Sequence, residues 1–319
     1  MPVFGSRRAL HWLVPAVAAA VVIGGGATAG TIVARADSAL PPRSAAQLLA
    51  DLRDAEVDGV SGTIVQSADL GLPGVASLAR GVGKRGTGGA ADLAGLLTGT
   101  STIRVWFAGP DRQRLALLNA HGETDLIRNG AEAWLWNSTD RMASHLTLPD
   151  TPLGTGAALA SIDPATAVST GGVTEVAGRD AYELVLRPRD PASLIGRVNL
   201  AVDAEHHIPL RVDVYPKNAA RPAMRVAFQQ ISFAVPDREQ FVFKPPPGTT
   251  ITEGNDHTAL PVASVLGAGW TSVLTARLPD PDGRRRVFAG TLVSVLVTAD
   301  GRFYAGAVTP ARLEESAKL

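Results

Sequence analysis

The chain has 319 residues, of which 45% are hydrophobic and 19% are charged, as in a folded protein rather than a disordered one. Its 30 Lys and Arg residues balance 30 Asp and Glu residues, so the overall charge does not favour nucleic acid as a partner. There is no cysteine, which excludes disulfides, thiolate metal sites and a lipid-modified cysteine anchor.

The N-terminal segment has the pattern of an export signal or a membrane anchor. Two arginines precede an apolar run, residues 10–34, which is long enough to span about 30 Å as a helix. The sequence A-R-A at its end has small residues where a signal peptidase needs them. We expect residues 1–36 to be a signal peptide or an N-terminal membrane anchor, and residues 37–43 to be a linker. The rest of the chain is then extracytoplasmic, either secreted or attached to the plasma membrane by the N-terminal helix.

A helix is predicted directly after the linker. Ser44 and Gln47 have the spacing of a capping box, and the leucines that follow repeat at helical spacing. Gly59 and Gly62 are expected to end this helix. A strand, GTIVQSADLGL, comes next, and the Gly-, Ala- and Leu-rich residues 73–99 then predict an irregular or partly helical insertion.

From Ser101 onward the sequence predicts an antiparallel meander. Five short runs within residues 101–148 alternate apolar with polar residues and are separated by polar turns. A break at residues 149–172 has room for one helix, and five more strands follow up to residue 234. The pair at residues 196–216 reads as a hairpin with one apolar face. Residues 257–319 predict a helix, a hairpin around the turn A-D-G, and a terminal helix.

Motifs for catalysis or for metal binding are weak throughout the sequence. The G-x-G-x-x-G match at residues 81–86 lacks the preceding strand that a dinucleotide site needs, so a flexible loop is the better interpretation. No two histidines have the one-turn spacing of helical metal ligands, and His206 and His207 fall in a predicted turn. No G-x-S-x-G, S-x-x-K or complete P-loop occurs, and the carboxylates are scattered through turns. We therefore expect no enzyme, no metal and no cofactor.

Two surface features remain open to more than one interpretation. Residues 284–286 are three consecutive arginines, which suit either a solubilising loop end or contact with an anionic head group. Trp134 and Trp136 lie two apart on one strand face, with Trp106 on an earlier strand, and core packing is the default for them. In the run STIRVWF, Ile103, Val105 and Phe107 point to one face of the strand and Trp106 points to the other, so the sheet has apolar side chains on both faces. One face is expected to pack on helices and the other to line a cavity.

This order of elements resembles the LolA-like and RseB-like periplasmic fold of lipoprotein carriers, the sigma-E regulatory protein RseB (MucB) and mycobacterial lipid-carrying lipoproteins. The insertion at residues 73–99 and the tail after residue 255 look like features of actinobacterial exported relatives. Three stretches carry the resemblance: residues 101–137, residues 178–216 and residues 235–253. The family pattern of a glycine turn between an apolar and an aromatic strand, and its closing F-x-F-x-x-P pattern, are matched by Leu126, Ile127, Asn129, Gly130, Trp134, Trp136, Phe241, Phe243, Pro246 and Gly248. One departure is that Gly109, not the arginine frequent in carriers, precedes Pro110, so a lid-latching arginine is not carried over.

The resemblance implies an α+β fold, an incomplete antiparallel β-barrel with helices covering its concave side. It places this half-barrel domain at residues 44–253, with a C-terminal helix and β-hairpin extension at residues 254–319. It implies no catalysis, and a lipid or lipoprotein acyl chain held in a hydrophobic cavity. The candidate cavity residues are Ile103, Val105, Phe107, Leu115, Leu117, Trp134, Trp136, Leu184, Leu186, Leu200 and Val212.

The expected partners are a lipid or acylated lipoprotein, and no nucleic acid. An alternative is a regulatory sensor like RseB that engages an anti-sigma factor or another membrane protein. A weaker alternative is an extracytoplasmic hydrolase with a dispersed active site. A purely structural sheet, filled by its own side chains, is the remaining interpretation.

Overall fold

Strands make up most of the described part of the chain. The computed structural model describes residues 40–71, 98–119, 122–147, 165–253, 264–277 and 283–318. The segment 1–36, nearly all of the insertion 73–99, and the two helices predicted within residues 149–172 and after residue 257 fall mainly or wholly outside these ranges. Among the described helices, none is long and apolar enough to cross a membrane.

Two α-helices and seventeen strands are described. The helices are α1 (Ala45–Asp54) and α2 (Pro310–Ser316). The first twelve strands are β1 (Val60–Asp69), β2 (Thr98–Phe107), β3 (Arg112–Asn119), β4 (Gly122–Asn129), β5 (Glu132–Asn137), β6 (Met142–Thr147), β7 (Thr166–Val176), β8 (Arg179–Pro188), β9 (Ile195–Asp203), β10 (Pro209–Pro216), β11 (Met224–Ser232) and β12 (Thr250–Glu253). The other five are β13 (Ser264–Leu266), β14 (Val273–Arg277), β15 (Arg286–Ala289), β16 (Ser294–Val297) and β17 (Arg302–Gly306).

The first twelve strands form one large, curved, unclosed sheet. Their order is β12-β6-β5-β4-β3-β2-β1-β11-β10-β9-β8-β7, so β12 and β7 are its two edges. Neighbours run antiparallel except β12, which pairs with β6 in parallel. Cα atoms of β7 come within 8 Å of β11, although three strands separate them in the sheet order, because this half of the sheet is curled. The predicted antiparallel meander is confirmed, and the sheet has the half-barrel form that the family resemblance implied.

β1 joins two sequence-local meanders into the single sheet. It pairs with β2 on one side and with β11 on the other. Gly62, which was expected to end the first helix, lies inside β1, and α1 ends earlier, at Asp54. A Cβ at Gly62 would come 2.4 Å from the carbonyl oxygen of Gln230 on β11. The glycine is therefore required by the close approach of two strands and not by a helix terminus.

α1 begins as the sequence predicts. Ser44 accepts a hydrogen bond from the backbone N–H of Gln47, and the Gln47 side chain accepts one from the backbone N–H of Ser44 at 2.9 Å. This reciprocal capping box satisfies two N–H groups that an α-helix leaves unpaired at its start. It fixes the entry of the chain, so that Leu48 and Leu52 on one side of α1 are buried against the sheet.

One face of the large sheet, called here the inner face, carries the main core. Cross-strand partners share a face, so the pairs Ile64–Ile103 and Leu184–Leu200 place these residues together on it. Leu48 of α1 packs into the same cluster. In the described part of the chain only α1 packs there, whereas α2 packs on the second sheet through Leu313. The expectation that several helices cover the concave side is therefore not confirmed.

The C-terminal residues form a second sheet rather than a lone hairpin. Its order is β13-β14-β17-β16-β15, and it includes the predicted hairpin β16–β17 and the predicted terminal helix α2. Backbone hydrogen bonds join this second sheet to the large sheet. The N–H of Thr291 donates to the carbonyl of Leu70 at 3.1 Å, and the N–H of Leu194 donates to the carbonyl of Ala307 at 2.7 Å. Leu292 is buried at the same junction. These contacts, together with the hydrogen bond that Trp270 Nε1–H donates to the Thr166 hydroxyl at 2.7 Å, hold the second sheet in place.

Candidate functional site

The structure divides the candidate cavity residues between the two faces of the large sheet. The register of β2 to β5 and of β8 to β11 decides the face of each residue. On the inner face lie Ile103, Val105, Phe107, Leu115, Leu117, Leu184, Leu186, Leu200 and Val212. Trp134 and Trp136 lie on the opposite face, called here the tryptophan face, and therefore cannot share a cavity with the other nine.

The half of the inner face beneath α1 is a filled core. Leu184 is fully buried, Leu200 is 7% exposed, and both pack in one cluster with Leu48 and Leu52 of α1. Tyr182, also in this cluster, donates a hydrogen bond from its hydroxyl to the carbonyl of Pro41 at 2.8 Å. This bond fixes the residues that lead into α1 against the sheet. The leucines here are held by the protein's own side chains.

The other half of the inner face carries a row of leucines beside buried polar side chains such as Thr124, Arg128 and Asn137. Leu115, Leu126 and Leu135 are successive cross-strand partners on β3, β4 and β5, and each is half-buried. Leu146 on β6 lies on the same face, since it pairs with Ala133. We call Leu115, Leu126, Leu135 and Leu146 the inner strip. It continues the α1-covered core across four strands and offers an apolar row on which a ligand chain can lie.

Leu126, Leu135 and Leu146 were not among the cavity residues expected from the sequence, although they lie on the same face as nine of them. The alternation of apolar and polar residues places Leu126 and Leu135 each on one face of its own predicted strand. The face of each strand, however, depends on how neighbouring strands are aligned, and a one-residue slip would reverse it. The register in the structure supplies this missing information.

The tryptophan face is covered by the protein's own chain. Residues 237–253, called here the strap, leave β11 and end in β12 at the edge of the sheet. Phe241 of the strap is 1% exposed, and the Phe243 ring lies 5.0 Å from that of Trp134 and 6.0 Å from that of Trp136. On its other side Trp134 stacks on His145, with 4.3 Å between ring centroids. The tryptophan pair is thus packed between the sheet and the strap.

A buried acid lies on this face beside the tryptophans. Asp125 is 3% exposed and accepts a hydrogen bond from Arg114 at 2.5 Å, while the Arg114 guanidinium also lies 5.2 Å from the Trp106 ring. Burial, and secondly hydrogen bonding with Glu123, raise the pKa of Asp125 to about 7, although the charge of Arg114 opposes this rise. Asp125 is therefore largely protonated in mildly acidic solution.

His145 is bonded on both sides by carboxylates. Its Nδ1 lies 2.7 Å from Glu253 of β12, and its Nε2 contacts Glu132 of β5. The carboxylates engage opposite ring nitrogens and do not converge on a common point, so they are not arranged as metal ligands. Across the described residues, no group of three His, Cys, Asp or Glu side chains is placed to hold a metal ion.

The turn between β9 and β10 is organised by a fully buried carboxylate. Asp203 accepts hydrogen bonds from the Arg179 guanidinium, including one at 3.0 Å from Nη2, and from the backbone N–H groups of Glu205 and His206. Burial tends to raise the pKa of Asp203, but these hydrogen bonds outweigh burial and lower the pKa below its ordinary value. This site is structural, because its carboxylate has no exposed surface to offer a ligand.

The remaining surface features are open and polar. An open cleft of about 490 Å³ lies at the junction of the two sheets and is lined by residues that include Lys217, Arg221 and Thr291. The three arginines at residues 284–286 are exposed at the start of β15, and Arg285 pairs with Glu314 of α2. These features fit a solvated surface better than an enclosed site.

Comparison with solved structures supports the fold. The Pseudomonas aeruginosa MucA/MucB complex matches with a TM-score of 0.51 and 17% identity, over 86% of this chain and 96% of that chain. The Mycobacterium tuberculosis lipoprotein LppX matches with a TM-score of 0.31 and 11% identity, over 58% of this chain and 93% of that one. A LolA superfamily protein from Nitrosomonas europaea matches with a TM-score of 0.24 and 12% identity, over 63% and 99%. The last two TM-scores are too low for structural inference.

No protein-family model and no curated protein matches the sequence. The resemblance to the RseB (MucB) fold that the sequence implied is nevertheless confirmed by the match to the MucA/MucB complex. At 17% identity this match establishes the fold and leaves ligand and partner open.

Proposed function

We propose that this chain is a non-enzymatic cell-envelope protein that binds the acyl chain of a lipid or lipoprotein on its inner face. The observation that carries the proposal is the inner strip. Leu115, Leu126 and Leu135 form a half-buried apolar row that runs on from a closed core, and contiguous apolar surface of this kind favours the binding of an apolar ligand.

The energetics of such a surface suit a lipid chain. Each methylene removed from water contributes about 0.8 kcal/mol, so several methylenes bind usefully without any polar contact. The described part of the inner face around the strip shows no cluster of nucleophile, base and oxyanion donors of the kind that an acyl hydrolase needs. Loose specificity for the acyl chain follows, because a row of leucines discriminates length and not chemistry.

The proposal includes an extracytoplasmic location. The apolar segment at residues 10–34 supports export, and the MucB fold match is consistent with it. Whether this segment is cleaved or retained decides between a secreted and a membrane-attached protein, and both place the inner strip outside the cytoplasm.

Changing Leu135 to glutamate tests acyl binding directly. We expect at least a tenfold weaker affinity for a fluorescent long-chain fatty acid, because a carboxylate at the centre of the strip must be desolvated when the chain binds. The matched control is Val235→Glu, which adds the same charge at a side chain that is 56% exposed, and which should bind as the native protein does. Circular dichroism and thermal unfolding check that both variants fold.

Native mass spectrometry of the full chain, purified from its own type of host and followed by organic extraction, gives the complementary readout. Co-purifying lipid is the expected result. A native protein that carries no lipid and binds no fatty-acid probe would contradict the proposal.

A second candidate function is a MucB-like regulatory role. The specific observation in its favour is that the fold match covers 96% of a chain from a structure containing MucA and MucB together. Here the chain would engage a membrane partner, such as an anti-sigma factor, outside the cytoplasm. This role is tested by site-specific crosslinking of the full chain in its host and identification of the crosslinked envelope protein. A chain that carries no acyl ligand but reproducibly crosslinks to an anti-sigma factor would favour the regulatory role over the carrier role.

A further inference from the structure

The strap is attached to the large sheet at two kinds of contact. Phe241 and Phe243 pack on the tryptophan face, as described above. The end of the strap, β12, is an edge strand of four residues in parallel pairing with β6, and the backbone N–H of Thr250 donates to the carbonyl of Arg141 at 2.9 Å. Ile251 in this strand is 45% exposed, so little apolar burial holds β12 in place. Its attachment must depend strongly on other contacts.

The ion pair at His145 ties β12 to the sheet through side chains, beside the hydrogen bond that the Thr252 hydroxyl donates to the carbonyl of Ala143 at 3.3 Å. Glu253 is the last residue of β12 and bonds Nδ1 of His145 on β6, while Glu132 on β5 engages Nε2. Glu132 and Glu253 are the charged groups that act on this ring in the described part of the chain, and its stacking partner Trp134 is uncharged. One imidazole therefore links the strap to two strands of the sheet.

This arrangement is complete only when the imidazole is charged. A carboxylate is an acceptor only, so each of the two nitrogens must carry a hydrogen to bond its carboxylate. A neutral imidazole carries one hydrogen, and it would direct a lone pair at the other carboxylate. Loss of the proton thus removes one hydrogen bond and both charge attractions at the end of the strap.

We propose that the strap is a pH-responsive cover: charged His145 holds residues 237–253 over the tryptophan face in acid, and its deprotonation releases β12 and uncovers Trp134 and Trp136. The strap lies on the face opposite the inner strip, so this proposal stands apart from acyl binding. Exported proteins meet the pH of their surroundings directly, which makes such a device useful in the envelope.

The direction of the response follows from the two titrating groups on this face. The hydrogen bond with Glu253, followed by that with Glu132, raises the pKa of His145 despite its partial burial. The stabilisation that charged His145 gives to the closed strap is fully present below the ordinary histidine pKa. It is lost as pH rises through the raised pKa. Asp125, which faces Arg114 of β3 and Glu123 of β4, has a pKa raised from 3.8 to about 7 and becomes charged beneath the strap over the same rise. Both changes weaken the closed state at higher pH.

Amide hydrogen exchange of the full chain tests the proposal. After correction for intrinsic rates, the strap peptide should exchange at least tenfold faster at about pH 9 than at about pH 5.5. His145→Gln should remove the part of this difference that depends on the imidazole and leave only the part that Asp125 contributes. The matched control is His206→Gln, since His206 also stacks on an aromatic ring, that of Phe233, at 3.6 Å but bonds no strap residue, and it should keep the full difference.

An NMR titration of His145 in the native chain keeps the test decisive if His145→Gln fails to fold. A pKa for His145 above its ordinary value, with the strap amides shifting at the same midpoint, supports the proposal. Equal strap exchange at both pH values in the native chain would overturn it, as would a difference that survives undiminished in a folded His145→Gln variant.

Discussion

Replacing Asp203 with alanine is expected to lower the free energy of unfolding by about 3 to 5 kcal/mol. The substitution leaves the Arg179 guanidinium and the backbone N–H groups of Glu205 and His206 without the acceptor that the fully buried carboxylate provides. Arg179 is 26% exposed and keeps a hydrogen bond from its Nη2 to Glu205 at 2.9 Å, so most of the cost comes from the two backbone N–H groups that lose their acceptor. Urea unfolding monitored by circular dichroism measures the change.

A second arginine-bonded aspartate in a turn serves as the control. Asp300 bonds Thr298 and pairs with Arg302, but its side chain is well exposed, so Asp300→Ala should leave stability unchanged within error. The pH dependence of stability gives a further test of Asp203. The pKa of Asp203 in the folded protein lies below the ordinary aspartate pKa. The stability that Asp203 contributes is therefore present above the ordinary pKa and is lost as pH falls through the folded pKa. An Asp203→Ala protein as stable as the native one at neutral pH would show that this turn does not depend on the carboxylate.

Leu184→Ala is expected to cost about 2 to 5 kcal/mol of stability and to leave acyl binding unchanged. Leu184 of β8 is fully buried in the core beneath α1, so its truncation leaves a cavity that the surrounding side chains cannot easily fill. Leu126→Ala, on the half-buried inner strip, should cost less stability and weaken binding of the fatty-acid probe. Thermal unfolding and probe titration of the two variants measure this contrast.

The reverse result would relocate the site. If Leu184→Ala were well tolerated and bound the probe differently, the core beneath α1 would be an adaptable cavity that opens for ligand. The interpretation of Leu184, Leu200 and Val212 as cavity residues, which the sequence suggested, would then be favoured over their present place in a closed core.

The strands of the meander could be predicted from sequence because each is a local signal. The run predicted at residues 132–138 is β5, Glu132–Asn137, since polar turns interrupt an alternating pattern on both sides. The capping box at Ser44 is likewise contained within four residues. By contrast, the break expected to extend to residue 172 ends at Thr166, because Gly172, with a φ of +112°, forms an irregularity within β7 and does not end it.

What could not be predicted depends on contacts between distant residues. Trp134 and Ile103 lie on opposite faces because of the combined register of β2 to β5, which no single strand encodes. Glu253 meets His145 across 108 positions of sequence. The parallel pairing of the four-residue β12 has too short a pattern to identify it. The faces of the sheet and the strap are therefore findings of the structure.

The position of β1 has a consequence for the time course of folding. Strands β2 to β6 and β7 to β11 can each assemble from neighbouring hairpins, but Ser61 of β1 must find Ser232 of β11 before the two halves become one sheet. Loops this long close slowly, because their entropy is lost before the distant contact forms. During synthesis, one edge of β1 stays unpaired until β11 has been made, and such edges invite aggregation. The nascent chain should therefore depend on chaperone protection up to about the point where β11 is complete.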